Sequence, residues 1–312
     1  MTTDCQEDTL ASTDFEILDE RFARVVNQTA PLERLYSNCH WAEGPAYFPA
    51  GRYLIWSDAP NDRLLRFDET DGSVSVFRQP SENTNGNTVD RQGRLVSCQH
   101  GSRRVSRTEH DGSTTVLADR YGDKRLNSPN DVVVRSDDSI WFSDPTYGID
   151  SDYEGNKADS EIGASNVYRI DGADGRLEVV ADDFIKPNGL AFSPDESKLY
   201  IADTGRTHGA QHPAHIRVFN VQGSKLVGGR VFADCTVGLF DGFRIDTDGR
   251  LWTSAGDGVH VYHPDGNLIG KIKIPEVVAN VCFGGPKRDR LFICGTTSLY
   301  SVRVFATGVK TF

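Results

Sequence analysis

An all-β fold made of six repeats is predicted for this 312-residue chain by three features of its sequence. Thirty Gly, 13 Pro and a single Met suit many short strands and turns better than helices. Short runs rich in β-branched and aromatic residues are separated by Asp-Gly and Gly-Arg pairs, which are hairpin signals. Above all, a short acidic or amide residue recurs immediately before a β-type run. The six occurrences are Glu43-Gly-Pro-Ala-Tyr, Asn85-Gly-Asn-Thr-Val, Asn130-Asp-Val-Val-Val, Asn188-Gly-Leu-Ala-Phe, Asp241-Gly-Phe-Arg-Ile and Asn280-Val-Cys-Phe. Their spacings of 42, 45, 58, 53 and 39 residues fall in the range of propeller blades. The expected architecture is a six-bladed β-propeller with four-stranded antiparallel blades.

Each repeat supplies the strands in order. The first offers Arg52-Tyr-Leu-Ile-Trp, Arg63-Leu-Leu-Arg-Phe and Val74-Ser-Val-Phe after its entry run. The second offers Asn87-Thr-Val-Asp, Arg94-Leu-Val-Ser-Cys, Arg104-Val-Ser-Arg and Ser113-Thr-Thr-Val-Leu. Ile140-Trp-Phe and Val167-Tyr-Arg-Ile mark the third, Lys198-Leu-Tyr-Ile-Ala and Ile216-Arg-Val-Phe the fourth, and Arg250-Leu-Trp-Thr and Val259-His-Val-Tyr the fifth. The sixth has Val281-Cys-Phe, Arg290-Leu-Phe-Ile-Cys and Ser298-Leu-Tyr-Ser-Val but no clear fourth strand, whereas Leu32-Glu-Arg-Leu-Tyr is a strand without a repeat. Joining them closes the ring and removes open sheet edges. Residues 1–14 are acidic, lack a core pattern and are expected to form a disordered tail, leaving 15–312 as one propeller domain. Residues 147–165 and 204–215 are long connections after second strands. Both are expected over the mouth where the six entry residues converge.

Composition excludes several function classes. A net charge of −11 argues against nucleic acid or an anionic membrane as partner. No run of 18 apolar residues exists, and the polar start resembles no secretory signal, so a cytoplasmic location is expected. The six cysteines form no CxxC pair and read as reduced, structural thiols. Gly-x-Ser-x-Gly, HExxH and Gly-x-x-x-x-Gly-Lys motifs are absent.

The six entry residues all carry a side-chain oxygen, and two, Glu43 and Asp241, carry a formal charge. Turn chemistry alone explains any single Asn-Gly or Asp-Gly. A complete ring of hard donors with two carboxylates is instead what a divalent cation requires, because an uncompensated channel carboxylate is costly. Calcium is the first expectation, with Zn2+, Mg2+ or Mn2+ as alternatives. His100, at the end of a second strand, and Tyr147, in the first long loop, are expected to reach the mouth and meet a substrate ring. Asn85 is a further expected substrate contact. His208, His212 and His215 read as a polar loop, and Asp58, Asp144 and Asp203 as hydrogen-bonded blade connectors.

Taken together, Glu43-Gly-Pro, Leu126-Asn-Ser-Pro-Asn-Asp-Val-Val-Val, Phe142-Ser-Asp-Pro-Thr-Tyr-Gly, Pro187-Asn-Gly-Leu-Ala-Phe-Ser-Pro-Asp and Asp241-Gly-Phe resemble the senescence-marker-protein/gluconolactonase/luciferin-regenerating family. The resemblance runs from about Trp41 to the C-terminus and is nearest to the bacterial gluconolactonase branch. It implies a six-bladed propeller with a divalent cation, hydrolysing sugar lactones. The family's metal ligands fall on Glu43, Asn188 and Asp241, and Asn130 takes the place of an asparagine that contacts metal or substrate. Ser128 stands where animal members carry a sugar-binding arginine, so the sugar contacts differ here. Asp241 and Asn130 are the expected catalytic residues, with Asp241 or a cation-activated water as the base. The expected partner is a small sugar lactone, with the protein a monomer or homodimer. A phosphotriesterase on the same ligands and a non-catalytic propeller scaffold are the rival readings.

Overall fold

A computed structural model describes residues 14–310. Six antiparallel blade sheets succeed one another along the chain, beside a two-stranded ribbon of Arg120–Tyr121 and Lys124–Arg125. The first four blades run from innermost to outermost strand in sequence order, and the last two take their outermost strands from the N-terminal segment. The innermost strands are Ala42–Phe48, Thr84–Val89, Val132–Val134, Pro187–Phe192, Phe243–Ile245 and Val278–Gly284. Each packs against the innermost strand of the next blade, and the last packs against the first, so the ring is closed around a central channel.

The core is divided among the blade interfaces. Six clusters of buried side chains each join facing sheets, for example Leu190, Leu199 and Ile201 of the fourth blade against Trp141 and Val167 of the third. Alternation along each strand produces this, because odd and even side chains enter opposite interfaces. Trp56, Trp141 and Trp252 occupy second strands of alternate blades and are fully buried.

Closure follows the expected pattern. Glu33–Tyr36 pairs antiparallel with Leu299–Arg303, with Glu33 opposite Ser301, and completes the sixth blade. One element was not foreseen: Phe15–Ile17 adds a fifth strand to the fifth blade by pairing with Leu268–Lys273. Between these two strands Asp19 caps a short helix, Glu20–Ala23, accepting from the Arg21 amide at 2.8 Å. The helix drives Phe22 into the interface of the fifth and sixth blades. Gly270 faces that ring, and a Cβ there would come within 2.0 Å of it. The expected tail over residues 1–14 lies outside the described residues except for Asp14, whose carbonyl accepts from the Lys273 amide. Five cysteines are free and buried, and Cys5 lies outside the described residues. No helix among the described residues is long and apolar enough to cross a membrane.

Candidate active site

The six entry residues sit at the starts of the innermost strands, or just before them, at one mouth of the channel. In four blades the strand carries a β-bulge at this place, between Glu43 and Ala46, Thr84 and Asn87, Pro187 and Leu190, and Val278 and Asn280. A bulge re-aims a side chain that regular pleating would send into a blade interface. Neighbouring entries are also bonded through their backbones. Gly86 donates to the Asn130 carbonyl at 2.7 Å, and Gly189 to the Asp241 carbonyl at 3.0 Å. At Gly189 a Cβ would lie 2.2 Å from that same carbonyl, so only glycine allows the approach.

Glu43 is buried, and its Oε2 accepts from the Gly44 amide at 2.6 Å and from Asn280 Nδ2 at 3.0 Å. Burial raises its carboxyl above the usual range, and the charge of Asp131 adds to the effect. Asp241 is half-buried, with its amide held by Ser254 Oγ at 2.7 Å. Its carboxyl is pushed well up, first by burial and then by the charge of Glu43. Asn188 is buried and donates to Thr204 Oγ1 at 3.4 Å. Asn85 and Asn130 are buried, and neither amide makes a side-chain hydrogen bond to another described residue. Asn280 differs from its five counterparts. Its Oδ1 accepts from the Val281 amide at 2.8 Å, so it serves the ring by holding Glu43.

The loop over 147–165 carries a residue that sequence reasoning missed. Glu154 is largely buried, and burial followed by the charge of Asp150 raises its carboxyl to about 7. Its field, like that of Asp131, reaches both Glu43 and Asp241, which places a further carboxylate at the mouth. The loop is fixed by close packing: Asn156 donates to the Gly148 carbonyl at 3.0 Å, and a Cβ at Gly148 would come within 2.5 Å of His100 Cβ and Cγ. His100 is fully buried, with Nδ1 3.2 Å from the Glu154 carbonyl and Nε2 without a partner. Burial lowers its pKa to about 4, so the ring is neutral and Nε2 presents a lone pair. Ser128 supports the same loop, accepting from the Gly148 amide and donating to the Pro145 carbonyl.

Tyr147 reaches the mouth differently from expectation. Its hydroxyl bonds Thr204 Oγ1 at 2.7 Å and Thr207 Oγ1 at 2.9 Å, tying the two long loops together. His208, His212 and His215 do not converge: His208 pairs with Asp150 at 3.0 Å, while His215 lies 3.9 Å from Asp234. Asp58, Asp144 and Asp203 act as connectors, accepting from the amides of His40, Asn127 and Lys186 respectively. Among the described residues, no three His, Cys, Asp or Glu side chains gather as a cation cage by themselves. The donors that fit a hard cation are therefore mixed, two carboxylates raised by burial together with amide oxygens, and that set suits a divalent ion.

Residues 41–297 match the SMP-30/Gluconolactonase/LRE-like region. The chain belongs to this family. It is 30% identical to a gluconolactonase of Zymomonas mobilis, covering 92% of this chain and 85% of that one. It is 28% identical to a pentonolactonase of Haloferax volcanii over 82% of each. A solved gluconolactonase structure from Xanthomonas campestris superposes with a TM-score of 0.88 at 40% identity, covering 93% of this chain and 94% of that one. That structure thus shares the blade arrangement described above over nearly its whole length.

Proposed function

We propose that this protein hydrolyses sugar lactones, aldono-1,5-lactones such as gluconolactone foremost, with a divalent cation held by Glu43, Asn188, Asp241 and Asn130. The observation that carries the reading is the pair of carboxylates, Glu43 and Asp241, both pushed up first by burial, with the charge of Glu43 further raising Asp241, at the mouth of a family propeller. Calcium suits the oxygen donors best. When bound, the cation supplies Lewis-acid polarisation of the lactone carbonyl.

The remaining work falls to the chain. Asn85 and Asn130 have free amides to orient hydroxyls, and His100 Nε2 accepts from another. Asp241 takes a proton from water as that water's oxygen bonds the lactone carbonyl carbon. The bond from this carbon to the ring oxygen then breaks, and the same proton passes to the departing oxygen. Asn280 and the Gly44 amide aim Glu43 and oppose the rise that burial gives its carboxyl. The long loops, tied through Tyr147, limit access of bulk water.

The test is turnover of gluconolactone, a pentonolactone and a phosphotriester above spontaneous hydrolysis, with calcium and with chelator. Calcium-dependent opening of the lactones is expected, and Asp241→Asn should lower it by about 10²–10⁴-fold while retaining the fold. Lactone turnover equal to background, with or without phosphotriester cleavage, would overturn the proposal.

A further inference from the structure

The channel has a second mouth. Along the first innermost strand, Tyr47 lies roughly 13 Å beyond Glu43, at about 3.3 Å per residue. There the far ends of all six innermost strands enclose a chamber of about 410 Å³. Its walls are apolar, with Val89, Val134, Phe192, Ile245 and Phe283 among them. Among the described residues its charged groups are Arg91, Arg244, Arg288 and Lys310 against one acid, Glu196. Glu196 is engaged elsewhere, accepting from the Ser136 amide at 2.9 Å and facing Arg135 at 3.6 Å. Arg91, Arg288 and Lys310 make no ion pair with any described residue. Of the four, Arg244 is the one in an ion pair with a described residue, Asp131 Oδ2 at 3.6 Å. An acidic protein of net charge −11 thus gathers unpaired cations around an apolar chamber.

We propose that this chamber is a binding site for a small amphipathic monocarboxylate, its apolar body against the walls and its carboxylate on the arginines. Guanidinium groups receive carboxylates through paired N–H donors, and an apolar wall beside them adds hydrophobic binding without competing charge. Arg244 gives the site a link to the opposite mouth. It partly neutralises Asp131, whose field reaches Glu43 and Asp241. An anion that draws on Arg244 leaves Asp131 more negative toward the ring, so anion and ring cation favour each other, reciprocally. The chamber itself does not depend on the lactonase reading.

Octanoate and 1-octanol are the probes, titrated calorimetrically into the full-length protein. Octanoate is expected to bind, and 1-octanol at least about tenfold more weakly, since the charge-assisted contact is lost. Arg288→Glu and Arg91→Glu should each weaken octanoate about tenfold without changing lactone turnover. Arg91 is exposed, so that variant keeps the test open if Arg288→Glu does not fold. No octanoate binding, equal binding of 1-octanol, or indifference to both charge reversals overturns the site. Calcium should tighten octanoate binding. Unchanged octanoate affinity in a protein shown by the same calorimeter to bind calcium overturns the link through Arg244.

Discussion

Glu43 shows how a single side chain can be costly alone and useful in company. Its carboxylate is buried beside Asp241 and within the field of Glu154, so the cation-free protein holds protons there that an unfolded chain would release. Near neutral pH the native state therefore binds more protons than the unfolded state, and stability falls as pH rises. The loss begins above the ordinary carboxylate range, about pH 4, and continues through the raised values of the three groups. The expected result is a chelator-treated protein whose melting temperature falls from about pH 5 to about pH 8, with calcium reversing the fall. A flat profile would show that burial and mutual charge do not raise the three carboxylates. Glu43→Gln should weaken calcium by about two orders of magnitude in direct titration, because charge count sets affinity in oxygen sites. The same variant should flatten part of the pH profile.

At the scale of elements, the blade entries divide two tasks: in four blades a bulge aims the ring side chain, and at Gly44, Gly86, Gly189 and Gly242 a glycine lets the next entry close in. Both leave a mark in sequence, which is why the ring residues and the six innermost strands were legible as a repeat. Glu154 was not, because it sits in a blade-specific loop with no counterpart in the other repeats to compare. Phe15–Ile17 was missed for a related reason: three residues beside an acidic stretch make too short a period to read. The cap signal of Asp19 before Phe22 was present in the sequence and would have located the short helix. That helix tests the importance of the insertion. Phe22→Ala should cost about 3–5 kcal/mol, since a fully buried aromatic is replaced by a cavity between two sheets. In thermal denaturation this corresponds to a fall of roughly 5–8 °C for a domain of this size. A shift under about 2 °C would mean that the blades close without it.

For the whole molecule, the N-terminal segment is a clasp across two blades, one strand on the fifth and one on the sixth. Deleting residues 1–13 should leave the melting temperature unchanged. Deleting residues 1–38 removes both strands and Phe22 and exposes two sheet edges, so failure to fold is expected in solubility and circular dichroism measurements. A 39–312 protein that melts like the parent would overturn the clasp. The arrangement also bears on the order in which the chain is made. Phe15 and Glu33 leave the ribosome early, while their partners Ile272 and Ser301 emerge near the end of synthesis. Through most of translation the first strands have no mate, and each new blade waits with one face uncovered. The nascent chain is therefore an open arc until its last strands appear, and protection from wrong pairing in that interval rests with the ribosome's surroundings and not with the native contacts.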